Sequence, residues 1–183
     1  MSSGICIRDA RDDDGPALID LIGSIFAEYP GCVLDVDGEA PELRAIATHF
    51  AHRRGLFWVV EDWVVEDSVV EDSVTEDGDA GVPAEIVGCV GFAPSAEPRT
   101  AELFKLYVAA RARRRGLGSR LCDLVEAESA RQGMQRLQLW SDTRFEDAHR
   151  LYTGRGMQRQ PETRELLDKS DTVEFRFTKD LPG

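Results

Sequence analysis

Residues 102–121 (ELFKLYVAARARRRGLGSRL) constrain the fold more than any other stretch of this chain. The run ELFKLYV is apolar and aromatic in the manner of a β-strand. From Leu117 onward, Leu121, Leu124 and Val125 recur at helical spacing, and a helix is expected over 116–132 with Gly133 just past its end. Strand therefore passes into helix through one short turn that carries Arg113, Arg114, Arg115 and Gly116-Leu117-Gly118-Ser119. A helix start leaves backbone N–H groups unpaired and carries partial positive charge, so an anion fits there. Glycines let a phosphate approach the backbone, and arginines add charge-assisted hydrogen bonds. No Gly-Lys-Ser/Thr follows, so this is not a Walker loop, and a dinucleotide fingerprint would need a third glycine. The plain alternative is a solvated basic loop.

The remaining segments supply a sheet for that unit. Strands are expected over 5–8, 56–60, 85–92, 136–140 and 172–178, and helices over 15–29, 41–53 and 147–155. Strands and helices interleave along 183 residues, which points to one mixed α/β (α+β) domain with a single central sheet.

One segment fits no element. WVVED, WVVED, SVVED, SVTED, from Trp58 to Asp77, repeats every five residues. A strand alternates with period two, so an odd repeat sends equivalent valines to opposite faces in successive copies. The expectation is one native strand end followed by copies that lengthen a β-hairpin loop, an acidic insertion over about 61–84. A functional acidic arm and a longer ordered hairpin are the alternatives. The segment also carries much of the net charge of −12. Residues 61–79 hold nine acids, and the remaining 25 acids stand against 22 basic residues, a balance of −3. Such a chain is not expected to bind nucleic acid.

No run of residues approaches a membrane span, and the acidic start MSSGICIRDARDDD lacks the features of a signal peptide. A cytoplasmic protein is expected. Cys6, Cys32, Cys89 and Cys122 are scattered without a CxxC pair and read as free thiols. His49 and His52 have no companion ligand pair, so no metal site is expected.

Arg113-Arg114-Arg115-Gly116-Leu117-Gly118 fits the Arg/Gln-x-x-Gly-x-Gly/Ala signature of the GNAT superfamily of acetyl-CoA-dependent N-acetyltransferases. Ala148-His149-Arg150-Leu151-Tyr152 followed by Gly156-Met157 resembles the later A-x-x-LY-x-x-x-GF element of that family. The resemblance implies a single N-acetyltransferase domain over 1–183, with a sheet of about six to seven strands and about four helices. It implies acetyl-CoA as co-substrate, held at its pyrophosphate by Arg113, Arg114, Arg115, Gly116, Leu117, Gly118 and Ser119. Leu106, Tyr107 and Val108 would hold the pantetheine and acetyl groups through the backbone. Ser141 and Asp142 resemble the point where the family's sheet splays, although a plain turn would read the same. Many members carry Asn where this chain has Phe145. A homodimer is a possible assembly by the same resemblance.

Acetyl transfer to an amine requires deprotonation of the amine, stabilisation of the thioester oxygen and protonation of the departing thiolate. Tyr152 is the candidate acid, against a plain reading as a packed helix aromatic. Glu102 is the candidate base, acting through water, against a reading as a strand-end surface glutamate. The backbone N–H of Val108 would polarise the thioester oxygen, again by resemblance. The acceptor, a small-molecule or peptide primary amine, is expected near the early loop. There Asp35, Asp37, Glu39 and Glu42 either favour a cation or simply face solvent. A non-catalytic module that binds or senses acyl-CoA is the alternative function.

Overall fold

The apolar runs become strands because alternation lets each bury side chains on both faces of one sheet. In the computed structural model, which describes residues 2–65 and 84–182, seven strands form that sheet. They are β1 (Ser2–Asp9), β2 (Leu56–Val65), β3 (Glu85–Pro94), β4 (Thr100–Val108), β5 (Arg136–Asp142), β6 (Gln158–Glu165) and β7 (Val173–Asp180). Their spatial order is β1-β2-β3-β4-β5-β7-β6. Four α-helices accompany them: α1 (Gly15–Phe26), α2 (Ile46–His52), α3 (Leu117–Arg131) and α4 (Glu146–Gly154). The chain is thus a single mixed α/β domain.

Each face of the sheet carries its own core. Leu18, Ile22 and Ile25 of α1 and Ile46 and Phe50 of α2 pack with Val59 and Cys89 on one face. Leu117, Leu121 and Val125 of α3 and Tyr152 of α4 pack with Leu137, Leu139 and Phe177 on the other. β3 lies between the two and is buried from Ile86 to Ala93. Leu121 is fully buried, and its replacement by alanine would cost about 2–5 kcal/mol.

β4 and β5 are the parallel neighbours, and α3 makes the crossover that parallel pairing requires. They pair only at Thr100↔Arg136, Ala101↔Leu137 and Glu102↔Gln138. Beyond Glu102, β4 bends. Its register against β3 shifts between Cys89 and Gly91, and Lys105 takes a φ of +49°. The bulge turns the end of β4 away from β5 and opens a gap in the middle of the sheet.

Three local features differ from expectation. The helix expected over 41–53 divides into a 3-10 turn, Pro41–Ala45, and α2. β6 was not foreseen, because QRQPETRE has no apolar alternation. It is the outer strand, and Pro161 lies inside its register shift, where a missing N–H costs no ladder bond. β2 runs on to Val65, so the first acids of the repeat belong to the sheet: Glu61 binds Arg8 at 2.7 Å and Asp62 binds Arg115 at 2.9 Å. The rest of the acidic repeat, 66–83, lies outside the described residues.

Candidate active site

The gap between β4 and β5 forms the floor of a cleft of about 920 Å³. The start of α3 makes one end of it. Gly116 is the residue before α3 and adopts φ +76°, which L side chains rarely adopt. A Cβ on Gly116 would meet nothing within 4 Å and would stand in the space of the cradle. The helix start has no side-chain cap and no acidic residue in its first turn, so its N–H groups are left for a ligand. Gly118 lies close against α4, with 3.0 Å between an added Cβ and Leu151 Cδ2.

The three arginines divide. Arg114 lines the cleft and makes no ion pair among the described residues. Arg113 also lines it, but its guanidinium is held by Glu28 at 2.6 and 2.7 Å while its Nε donates to the Val108 carbonyl at 2.9 Å. The Glu28 bonds raise its pKa further. Arg115 turns away to Asp62 and is not among the cleft-lining residues. Leu117, Gly118 and Ser119 complete the cradle, and Leu106, Tyr107 and Val108 of β4 line the middle of the cleft.

Tyr152 faces the middle of the cleft from α4 and is 4% exposed. Its ring packs on Phe177 with centroids 5.6 Å apart, and its hydroxyl has no hydrogen-bond partner among the described residues. Burial pushes the phenol's pKa above its ordinary value, so it keeps its proton at neutral pH. Ser141 of β5 also lines the cleft, with Oγ 3.2 Å from His149 Nε2. Burial lowers the His149 pKa, which leaves a neutral imidazole at pH 7. Phe145 fills its corner with aromatic contacts, 4.8 Å to Tyr29 and 6.0 Å to Phe26 between centroids.

Glu102 stands apart. It lies on β4 where β4 still pairs with β5, outside the cleft lining, and accepts a hydrogen bond from Gln138 Nε2 at 2.9 Å. The early-loop acids are occupied as well. Asp35 pairs with Lys169 at 2.6 Å, Asp37 with Arg44 at 2.6 Å and Glu42 with Lys105 at 2.8 Å, while Glu39 accepts the Lys169 N–H at 2.7 Å. Of these four, only Glu39 lines the cleft.

Besides Glu39, the cleft takes Asp142 of β5, Asp147 of α4, which is paired with Arg150, Asp168 of the β6–β7 loop and Glu174 of β7. Glu174 sits opposite Asp142 in the β5–β7 ladder, and its pKa is raised by burial and by the charges of Asp142 and Glu102, although Arg164 opposes this. The sequence alternation VEFRF puts Glu174 on the polar face of its strand. Nothing in that pattern says that this polar face meets a cleft instead of solvent.

Among the described residues, no helix is long and apolar enough to cross a membrane. No curated protein sequence is significantly similar to the chain. Solved structures share its fold. An acetyltransferase of the GNAT family from Staphylococcus aureus Mu50 has a TM-score of 0.74 at 19% identity, covering 98% of this chain and 100% of its own. The paiA N-acetyltransferase of Thermoplasma acidophilum, solved with coenzyme A, has a TM-score of 0.64 at 16% identity, covering 97% and 99%. The yncA protein of Salmonella typhimurium, solved with its cofactor acetyl-CoA, has a TM-score of 0.65 at 15% identity, covering 98% and 95%. The family model described as acetyltransferase (GNAT) family matches residues 38–157, which take in the parted strands, the cradle and Tyr152. This chain belongs to the GNAT family of acetyltransferases.

Proposed function

We propose that the protein transfers the acetyl group of acetyl-CoA to a primary amine by direct attack while both substrates are bound. The observation that carries this reading is one cleft with an uncapped, glycine-bordered helix start at one end and, in its middle, a protonated phenol without a hydrogen-bond partner among the described residues.

The residues present fit acetyl-CoA. The first N–H groups of α3 and the Arg114 guanidinium, which makes no ion pair among the described residues, suit a pyrophosphate. Beyond Glu102 the β5 side of β4 has no strand partner among the described residues, and this suits a ligand that brings amide groups of its own. The Val108 N–H is suited to polarise the thioester oxygen. Arg115 supplies its backbone N–H to the cradle, while its side chain braces the loop against Asp62.

Tyr152 donates to the departing thiolate. On the opposite face of the sheet, acidic groups receive the amine and draw off its proton, and Glu102 takes part through an intervening water. The acceptor is a small-molecule or peptide amine.

Purified protein mixed with acetyl-CoA and a panel of primary amines, assayed for free CoA thiol, tests the reading. Turnover with at least one amine and a thermal shift with acetyl-CoA are expected. No turnover with any amine together with no thermal shift would overturn it. A shift without turnover on the whole panel, with no effect of Tyr152→Phe, would make the protein an acyl-CoA-binding module.

A further inference from the structure

Glu174 is a half-buried carboxylate whose position has a use in acetyl transfer. Its side chain is 14% exposed and lines the cleft. Oε2 accepts from Arg164 Nε, whereas Oε1 has no partner among the described residues. The neighbouring acids are spent or screened. Both oxygens of Asp142 are taken by Arg144, at 2.6 and 2.9 Å. Oδ1 of Asp168 accepts the N–H groups of Ser170 and Thr172, which hold its carboxyl below the ordinary range against the effect of burial. Glu39 is exposed at the mouth.

The charged groups around Glu174 come from three strands: Glu102 on β4, Asp142 on β5 and Arg164 on β6. Two are like charges, and Arg164 is itself 44% exposed and stacked on Trp140 at 4.5 Å. A carboxylate in this setting holds a proton more readily than an ordinary glutamate does.

We propose that Glu174 Oε1 binds the ammonium group of the acceptor and takes its proton, so that the acceptor is an amine carried as a cation at neutral pH. This rests on the acetyl-transfer reading above and assigns its first step. The N–H bond breaks, its electron pair stays on nitrogen, and the proton passes to Oε1. Nitrogen then attacks the thioester carbonyl carbon. The C–S bond breaks with its electrons going to sulfur, which takes the Tyr152 proton. The nitrogen sheds a second proton. One proton returns to Tyr152 and one leaves to water, so an ammonium and an acetyl thioester give an amide, a thiol and one proton. Glu102 and Asp142 keep the proton affinity of Glu174 high.

The test is Glu174→Gln, assayed at pH 7 with n-butylamine, which is an ammonium ion there, and with aniline, which is not. Turnover of n-butylamine should fall on the order of 100-fold and that of aniline by less than about threefold, with partial rescue by Glu174→Asp. The acetyl-CoA thermal shift should be unchanged in both variants, and its absence in the parent protein would count against the acetyl-transfer reading instead. Equal losses for the two amines, or full n-butylamine turnover in Glu174→Gln, would overturn the assignment. If the parent protein turns over neither amine, carboxyl carbon NMR of Glu174 in protein saturated with coenzyme A decides. A signal that moves when n-butylammonium is added supports the proposal, and one that stays still overturns it.

Discussion

Arg115 Nη1 lies 2.9 Å from Oδ2 of Asp62, so the turn that opens α3 is tied to the far side of β2. Arg111 approaches the same oxygen at 3.6 Å, and the Asp62 side chain is 4% exposed. A residue from the first copy of the acidic repeat thus fixes the shape of the cradle.

Asp62→Ala should cost about 1–3 kcal/mol in urea unfolding, since it removes a buried acceptor from two half-exposed arginines that water can partly solvate. It should also weaken acetyl-CoA by about tenfold in isothermal titration, the equivalent of about 1.4 kcal/mol in loop ordering. An unchanged affinity would show that the cradle holds its shape without the brace.

Gly116→Val combines two faults, a left-handed backbone and a side chain in the space of the cradle. The backbone strain amounts to about 1–2 kcal/mol, too little to unfold the domain. Circular dichroism should therefore stay native-like while the acetyl-CoA thermal shift disappears.

Tyr152→Phe removes one hydroxyl that no described residue binds. Stability and acetyl-CoA affinity should hold, and kcat should fall by about 100-fold. A matching loss in affinity would instead show that the hydroxyl holds the coenzyme in the ground state.

Asp14 and Glu174 give opposite pH dependences. Burial alone would raise the Asp14 carboxyl, but hydrogen bonds from Arg8 and from the Arg11 N–H hold it below its ordinary 3.8. Its contribution is present above pH 3.8 and is lost as pH falls through the lower folded value. Glu174 has its folded pKa raised above 4.5, so its contribution is present below pH 4.5 and is lost as pH rises through the folded value. Thermal melts should show Asp14→Asn losing its deficit in acid. Glu174→Gln should be relatively more stable at pH 7 than at pH 4.

The strand–cradle–helix unit was legible because its signals are local: glycines, arginines and an apolar helical stripe within twenty residues. The resemblance of its surroundings put Tyr152 forward, and the structure sets it in the lining of the cleft. What escaped depended on partners distant in sequence. Whether Asp35 and Glu42 face a ligand turns on Lys169 and Lys105, and no spacing rule joins those pairs. Glu174 became visible only when β7 was seen beside β5 and β6. The polar outer strand β6 buries too little for a pattern of apolar residues to form. The fate of Arg115 was hidden in the same way, because no spacing rule joins it to Asp62.

The parting of β4 from β5 has one more consequence. An unpaired strand edge is ordinarily a hazard, a template on which another chain can add itself and aggregate. Here the raw edge faces inward, recessed between α1 on one side and α3 and α4 on the other. The open edge of β4 therefore lies along the floor of the cleft and not at the rim of the sheet.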